Sequence, residues 1–165
     1  MTPFVMVFFS LLLLFTTAII PLFVRNERIL VDLSFSLAAI ASIITGISGI
    51  WTVTSGLVES NSILMGLPDL PFHLRLDPLA GFFLTVIGLL GFFVSIYSLG
   101  YVRGFIGQRP IAKLVIFYSL FLAGMFMVIL ADDAFFFLIS WELMAAASYF
   151  LVIYEDEKVE NRRAA

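Results

Sequence analysis

The sequence contains no cysteine and a single histidine, His73. Without cysteine there can be no disulfide, no thiolate metal site, and no iron–sulfur cluster or haem held by cysteine in this chain. One imidazole with no companions at ligand spacing points to no metal site, and His73 reads as a loop residue bonded to a neighbour. Charge is scarce as well: 13% of residues are charged, against about 25% in soluble domains. The net charge of −3 comes without a basic stripe, which excludes a nucleic-acid partner. Phosphate-binding glycine loops, Ser–His–Asp sets, paired catalytic carboxylates and flavin or nicotinamide motifs are all missing. The chain therefore carries no active site and no cofactor of its own.

What is abundant is hydrocarbon. Of 165 residues, 62% are hydrophobic, a composition that water cannot cover. Spanning a bilayer takes about 20 apolar residues. Five segments qualify: Phe4 to Val24, about Ile29 to Ser55, about Leu79 to Val102, Leu114 to Ala131, and Ala134 to Tyr154. Lipid offers backbone groups no partners, and the runs are continuous rather than alternating, so each is expected to be a helix. The first run lacks a positive start, and Arg25-Asn26-Glu27-Arg28 follows it in place of a small-residue cleavage site. It reads as a retained helix, not a signal peptide. The fold class is all-α integral membrane. The organisation is helices 1 and 2 in residues 1–56, an outer loop in 57–78, helices 3 and 4 in 79–131, helix 5 in 132–154 and a tail in 155–165.

Eight of the nine basic residues fall on one side: Arg25, Arg28, Arg103, Arg109, Lys113, Lys158, Arg162 and Arg163. Only Arg75 lies on the other. The positive-inside bias puts the N-terminus outside and the tail in the cytoplasm. The outer segment, with Pro68, Asp69, Pro71 and Pro78, reads as an ordered loop in which PDLPFHLRLDP is a short extended piece. Asp77-Pro78 reads as a helix cap followed by proline at the first helical position. Helix 2 is rich in small and hydroxyl residues, from Ser34 to Gly49, and helix 3 has Gly81, Gly88 and Gly91. These read as a packing surface, with a hydroxyl-lined water path as the alternative.

The residue that asks for chemistry is Glu142. It sits about 12 Å into helix 5, near the bilayer midplane. A charge there costs about 2.5–3.5 kcal/mol on the insertion scale, so the side chain is expected to face protein or water. Ala145 and Ala146, one turn on, leave room beside it, and Tyr149 returns to the same face. Such a carboxylate exchanges its proton according to how closely a cationic partner approaches, which is the physics of a proton relay. The alternative is a hydrogen-bonded residue that fixes packing. No lysine of this chain is its partner, since Lys113 and Lys158 lie at the inner edge. Asp32 reads as a boundary residue paired with Arg28. Asp133 reads as the N-cap of helix 5, with an ion-entry role for Asp132 and Asp133 as the alternative.

The runs RLDPLAGFFLTVIGLLGFFVSIYSLGYVRGF and ADDAFFFLISWELMAAASYFLVIYEDEK resemble the antiporter-like membrane subunits. These are the proton-pumping subunits of respiratory complex I and their relatives in multisubunit Na⁺/H⁺ antiporters and membrane-bound hydrogenases. Asp77-Pro78-Leu79, the Tyr-Ser-Leu-Gly-Tyr near the end of helix 3 and the Phe-Leu-Val-Ile of helix 5 look closest to the large membrane subunit of formate hydrogenlyase and hydrogenase-4 type complexes. The likeness covers about Leu76 to Arg163, and Trp141-Glu142 is its most specific element. It implies that Glu142 is the helix 5 glutamate that pairs with a lysine on a later helix during translocation. Relatives usually have asparagine where Asp133 stands, which favours a capping role there.

Family members have about fourteen helices with two inverted five-helix repeats. The resemblance implies that this chain is an N-terminal portion: a truncated gene, a split subunit or a shortened chain. Its implied partners are the remaining helices or a companion chain, other membrane subunits, peripheral hydrogenase or iron–sulfur subunits, and the bilayer. Its implied place is the prokaryotic plasma membrane, within an oxidoreductase complex. The alternatives are a non-pumping scaffold that anchors peripheral redox subunits, and a subunit of a multisubunit cation/proton antiporter.

Overall fold

The computed structural model describes residues 2–67 and 70–154. Among these residues are five long helices and one hairpin. Helix α1 is Pro3–Ile19, extended by a 3₁₀ turn over Ile20–Leu22. Helix α2 is Glu27–Ser55. Strands β1, Glu59–Leu67, and β2, Leu70–Leu76, pair antiparallel. Helix α3 is Pro78–Tyr101, tightening to a 3₁₀ turn over Val102–Phe105. Helices α4 and α5 are Ile111–Leu130 and Ala134–Ile153. All five are long and apolar enough to span a bilayer, as the sequence predicts.

The helix starts follow local rules. Thr2 caps α1 and Asn26 caps α2, where the Asn26 side chain accepts from the N–H of Arg28 and Ile29. Asp77 caps α3 through the N–H of Ala80 at 2.9 Å, with Pro78 next. Each bond satisfies a donor that the helix cannot reach internally.

The segment between α2 and α3 is extended over Leu70–Leu76, within the short extended piece expected there, but it pairs with a second strand where only loop was expected. It is a hairpin in the register Glu59↔Leu76, Asn61↔Leu74 and Ile63↔Phe72, with a bulge between Ile63 and Gly66. The physical reason is a two-residue alternation. Leu74 and Leu76 are buried and Phe72 half-buried, while His73 and Arg75 are exposed. Pro68 and Asp69 lie outside the described residues, as does the tail from 155 to 165 with Lys158, Arg162 and Arg163.

Helices α2 and α3 make the most extensive interface. A Cβ on Gly49 would lie 2.8 Å from the Thr85 backbone nitrogen, and one on Gly88 would lie 2.7 Å from the Ser42 carbonyl oxygen. Only glycine permits this approach. In lipid such close contact stands in for the hydrophobic drive, so the small residues form a packing surface. Helix α1 packs on α2 and α4, and α4 on α5. The described cations Arg25, Arg28, Arg103, Arg109 and Lys113 share the end where α1 meets α2 and α3 meets α4. Arg75 is at the hairpin end. At the basic end Asp32 pairs with Arg103 at 2.7 Å rather than with Arg28. The 3₁₀ turn after α3 swings Arg103 onto α2, a contact that sequence spacing along α2 could not reveal.

Candidate functional site: the outer face of α5

Helix α5 is the least enclosed of the five. Of its apolar window 17% is buried, against 50% for α2, because α4 is its one extensive helical neighbour among the described residues. Ser140 and Ala147 turn inward and are buried, at 0% and 2% exposure. At i+2 from Ser140 and i−5 from Ala147, Glu142 points the other way and is exposed. Leu138, Ala145, Ala146 and Tyr149 are exposed with it, as the helical period requires. Trp141 is exposed beside them. The small pair Ala145-Ala146 therefore flanks the carboxylate on an open face, and Tyr149 sits one turn further on, edge-on to Phe150 at 5.4 Å.

The start of α5 is anchored from outside. Asp133 uses both carboxylate oxygens: Oδ1 accepts from the N–H of Phe136 at 2.7 Å and Oδ2 from the N–H of His73 at 2.7 Å. The Asp132 N–H donates to the His73 carbonyl at 3.0 Å, and Leu74 bridges to Ala131. The His73 Nδ1 lies 3.7 Å from Asp133 Oδ2. Phe72 of the hairpin packs its ring 4.9 Å from Phe136 and 5.9 Å from Phe135. Desolvation raises the Asp133 pKa, but the N–H donors of Phe136 and His73, the nearby imidazole and the Phe135 N–H together outweigh it, leaving the carboxyl below its ordinary value. Asp133 is thus the expected cap and also a clasp between hairpin and helix, a second role that the sequence did not suggest. Asp132 instead lines a separate cavity of about 270 Å³ at the hairpin end with Arg75 and Asp77, themselves 3.4 Å apart. The structure does not bring Asp132 or Asp133 to Glu142; they sit at the end of α5, two turns or more away.

Residues 63–107 match the family described as NADH-ubiquinone oxidoreductase (complex I), chain 5 N-terminus. The chain is 33% identical over 131 residues, 76% of its length, to hydrogenase-4 component B of Escherichia coli. It is 29% identical over 97 residues, 59% of its length, to NADH-quinone oxidoreductase subunit L of the same organism. To a putative antiporter subunit of Staphylococcus epidermidis it is 28% identical over 152 residues, 89% of its length.

The chain is similar to antiporter-like membrane subunits.

It is similar to their N-terminal portion and spans 19%, 15% and 19% of the length of those three relatives. With five apolar spans and relatives in bacterial membrane complexes, this antiporter-like chain is a multi-pass prokaryotic membrane protein.

Proposed function

We propose that the chain is part of an ion-translocating subunit, with the proton as the ion, in a redox-driven complex of the membrane-bound hydrogenase, formate hydrogenlyase or complex I kind. Glu142 is its intramembrane proton-carrying or cation-pairing carboxylate. One observation carries the reading: a carboxylate at membrane depth lies on a helix face that nothing in the described chain covers, flanked by alanines that allow a close neighbour. Left against lipid, the ionised group would cost about 2.5–3.5 kcal/mol. The face therefore calls for a further helix of the same assembly that supplies a cation or a hydrogen-bonding water. A group on that helix that approaches and withdraws would load and unload the Glu142 proton. Tyr149, on the same face, would take part as a secondary hydrogen-bonding group. Peripheral redox subunits would supply the electrons.

The names of the relatives also support a second reading, a subunit of a cation/proton antiporter without redox chemistry. Companion genes for nickel–iron hydrogenase or iron–sulfur subunits would exclude it. The test of the first reading is Glu142→Gln in the intact assembly, with proton uptake and electron transfer measured together in vesicles. The expected result is loss of pumping with electron transfer retained at least in part. Unchanged pumping would reduce Glu142 to a packing residue.

A further inference from the structure

At the basic end, the start of α4 and the end of α5 enclose a cavity of about 330 Å³. We propose that it binds an anionic phospholipid, with the phosphate held by Arg109 and Lys113 and an acyl chain lying along Phe117 and Phe150.

Three features of the cavity point to this chemistry. The cations are placed at its rim. The Arg109 guanidinium lies over the Phe105 ring at 5.1 Å and near the Tyr154 ring at 5.9 Å, both within cation–π range. Lys113, one turn into α4, is exposed and has no ion-pair partner among the described residues. The floor is apolar: Phe117 and Phe150 stack at 4.5 Å and 17°, with Ile153 beside them. The polarity also changes along the helix axis. The cations are at the ends of the spans and the aromatic floor is one turn deeper, the order in which a lipid presents phosphate and then hydrocarbon. Basic pockets between helices at a membrane surface recognise lipid headgroups by this means. In addition, Pro110 leaves the first turn of α4 without a side-chain cap, so its N–H groups favour an anion at the same place.

A soluble anion would use the cations but gain nothing from the floor. The combination of charge and aromatic groove commits the site to lipid.

The experiment is native mass spectrometry of the full chain, stripped of lipid and titrated with dioleoylphosphatidylglycerol, dioleoylphosphatidylcholine and inorganic phosphate. Phosphatidylglycerol is expected to bind at least tenfold more tightly than phosphatidylcholine, and phosphate is expected not to displace it. Lys113→Gln should weaken phosphatidylglycerol about fivefold, and adding Arg109→Gln should bring the loss to about 25-fold. Phosphatidylcholine binding should not move. Lys113 is an exposed side chain, so its single variant tests the site even if the double variant misfolds. Equal binding of the two lipids, displacement by phosphate, failure of phosphatidylglycerol to bind, or an unchanged Lys113→Gln would each overturn the proposal.

Discussion

Asp133 offers a perturbation whose two halves separate cleanly. Its Oδ1 serves the N–H of Phe136 and its Oδ2 serves the N–H of His73. Alanine removes both acceptors. Asparagine keeps one oxygen, which can hold the cap, but its amide NH₂ cannot accept from His73. A lost helix cap costs about 1 kcal/mol. A lost hydrogen bond to a charged group costs about 1.5–3 kcal/mol. The two share one carboxylate, so they do not simply add, and about 2–3 kcal/mol is expected for Asp133→Ala. Hydrogen exchange followed by mass spectrometry reads this directly on peptides spanning 71–76 and 134–138. In Asp133→Ala both should exchange about 30–150-fold faster, since each 1.4 kcal/mol is tenfold. In Asp133→Asn only the hairpin peptide should lose protection. If asparagine deprotects both peptides equally, the division of labour between the two oxygens is wrong. If alanine deprotects neither, the hairpin does not depend on this clasp.

Two further outcomes follow from the same geometry. The Asp133 carboxyl sits below its ordinary value in the folded chain, so its stabilisation is fully present above the unfolded carboxylate range, near pH 4. That contribution is lost only as pH falls through the lower folded value; hairpin protection in the wild type should therefore hold from pH 7 to about 5, and a loss of the clasp within that interval would contradict the assignment. In α2, Gly49→Ala drives a methyl to 2.8 Å from the Thr85 backbone nitrogen, whereas Gly46→Ala meets nothing closer than 3.9 Å. The first should lower thermal stability in detergent by about 1–3 kcal/mol and the second by far less; equal effects would mean that the α2–α3 contact is not set by backbone approach.

The sequence made the helices legible because lipid leaves the backbone no other solution. Phe4 to Val24 and Ala134 to Tyr154 end within a few residues of the observed helices, and Asp77, Pro78 and Asp133 mark their starts by capping chemistry that is local. The hairpin was harder to read. Prolines 68, 71 and 78 argued for a loop, while the Phe72–Leu74–Leu76 alternation that made it a strand is only three residues long. Its partner strand, Glu59–Leu67, is polar at first and carries no comparable signal. Contacts between distant residues were not legible either. Arg28 is one turn from Asp32 and looked like its partner, but a 3₁₀ turn 71 residues away delivers Arg103 instead. Helical phase alone gave the face of Glu142. It could not say that this face stands open, because burial on α5 is decided by which helices pack against it.

The hairpin has a consequence for how such a chain is made. It is synthesised between α2 and α3, yet its grip is on residues 131–133, and the bond from His73 to Asp133 closes a loop of 60 residues. Its other attachment, Glu59 accepting from the N–H of Phe4 at 3.2 Å, reaches back to the start of the chain and is available early. In order of synthesis, the residues of the first attachment are therefore complete long before residues 131–133 of the second have been made. The clasp requires the start of α5 and the hairpin to lie at the same end of the bundle, since an inverted α5 would carry Asp133 to the opposite end.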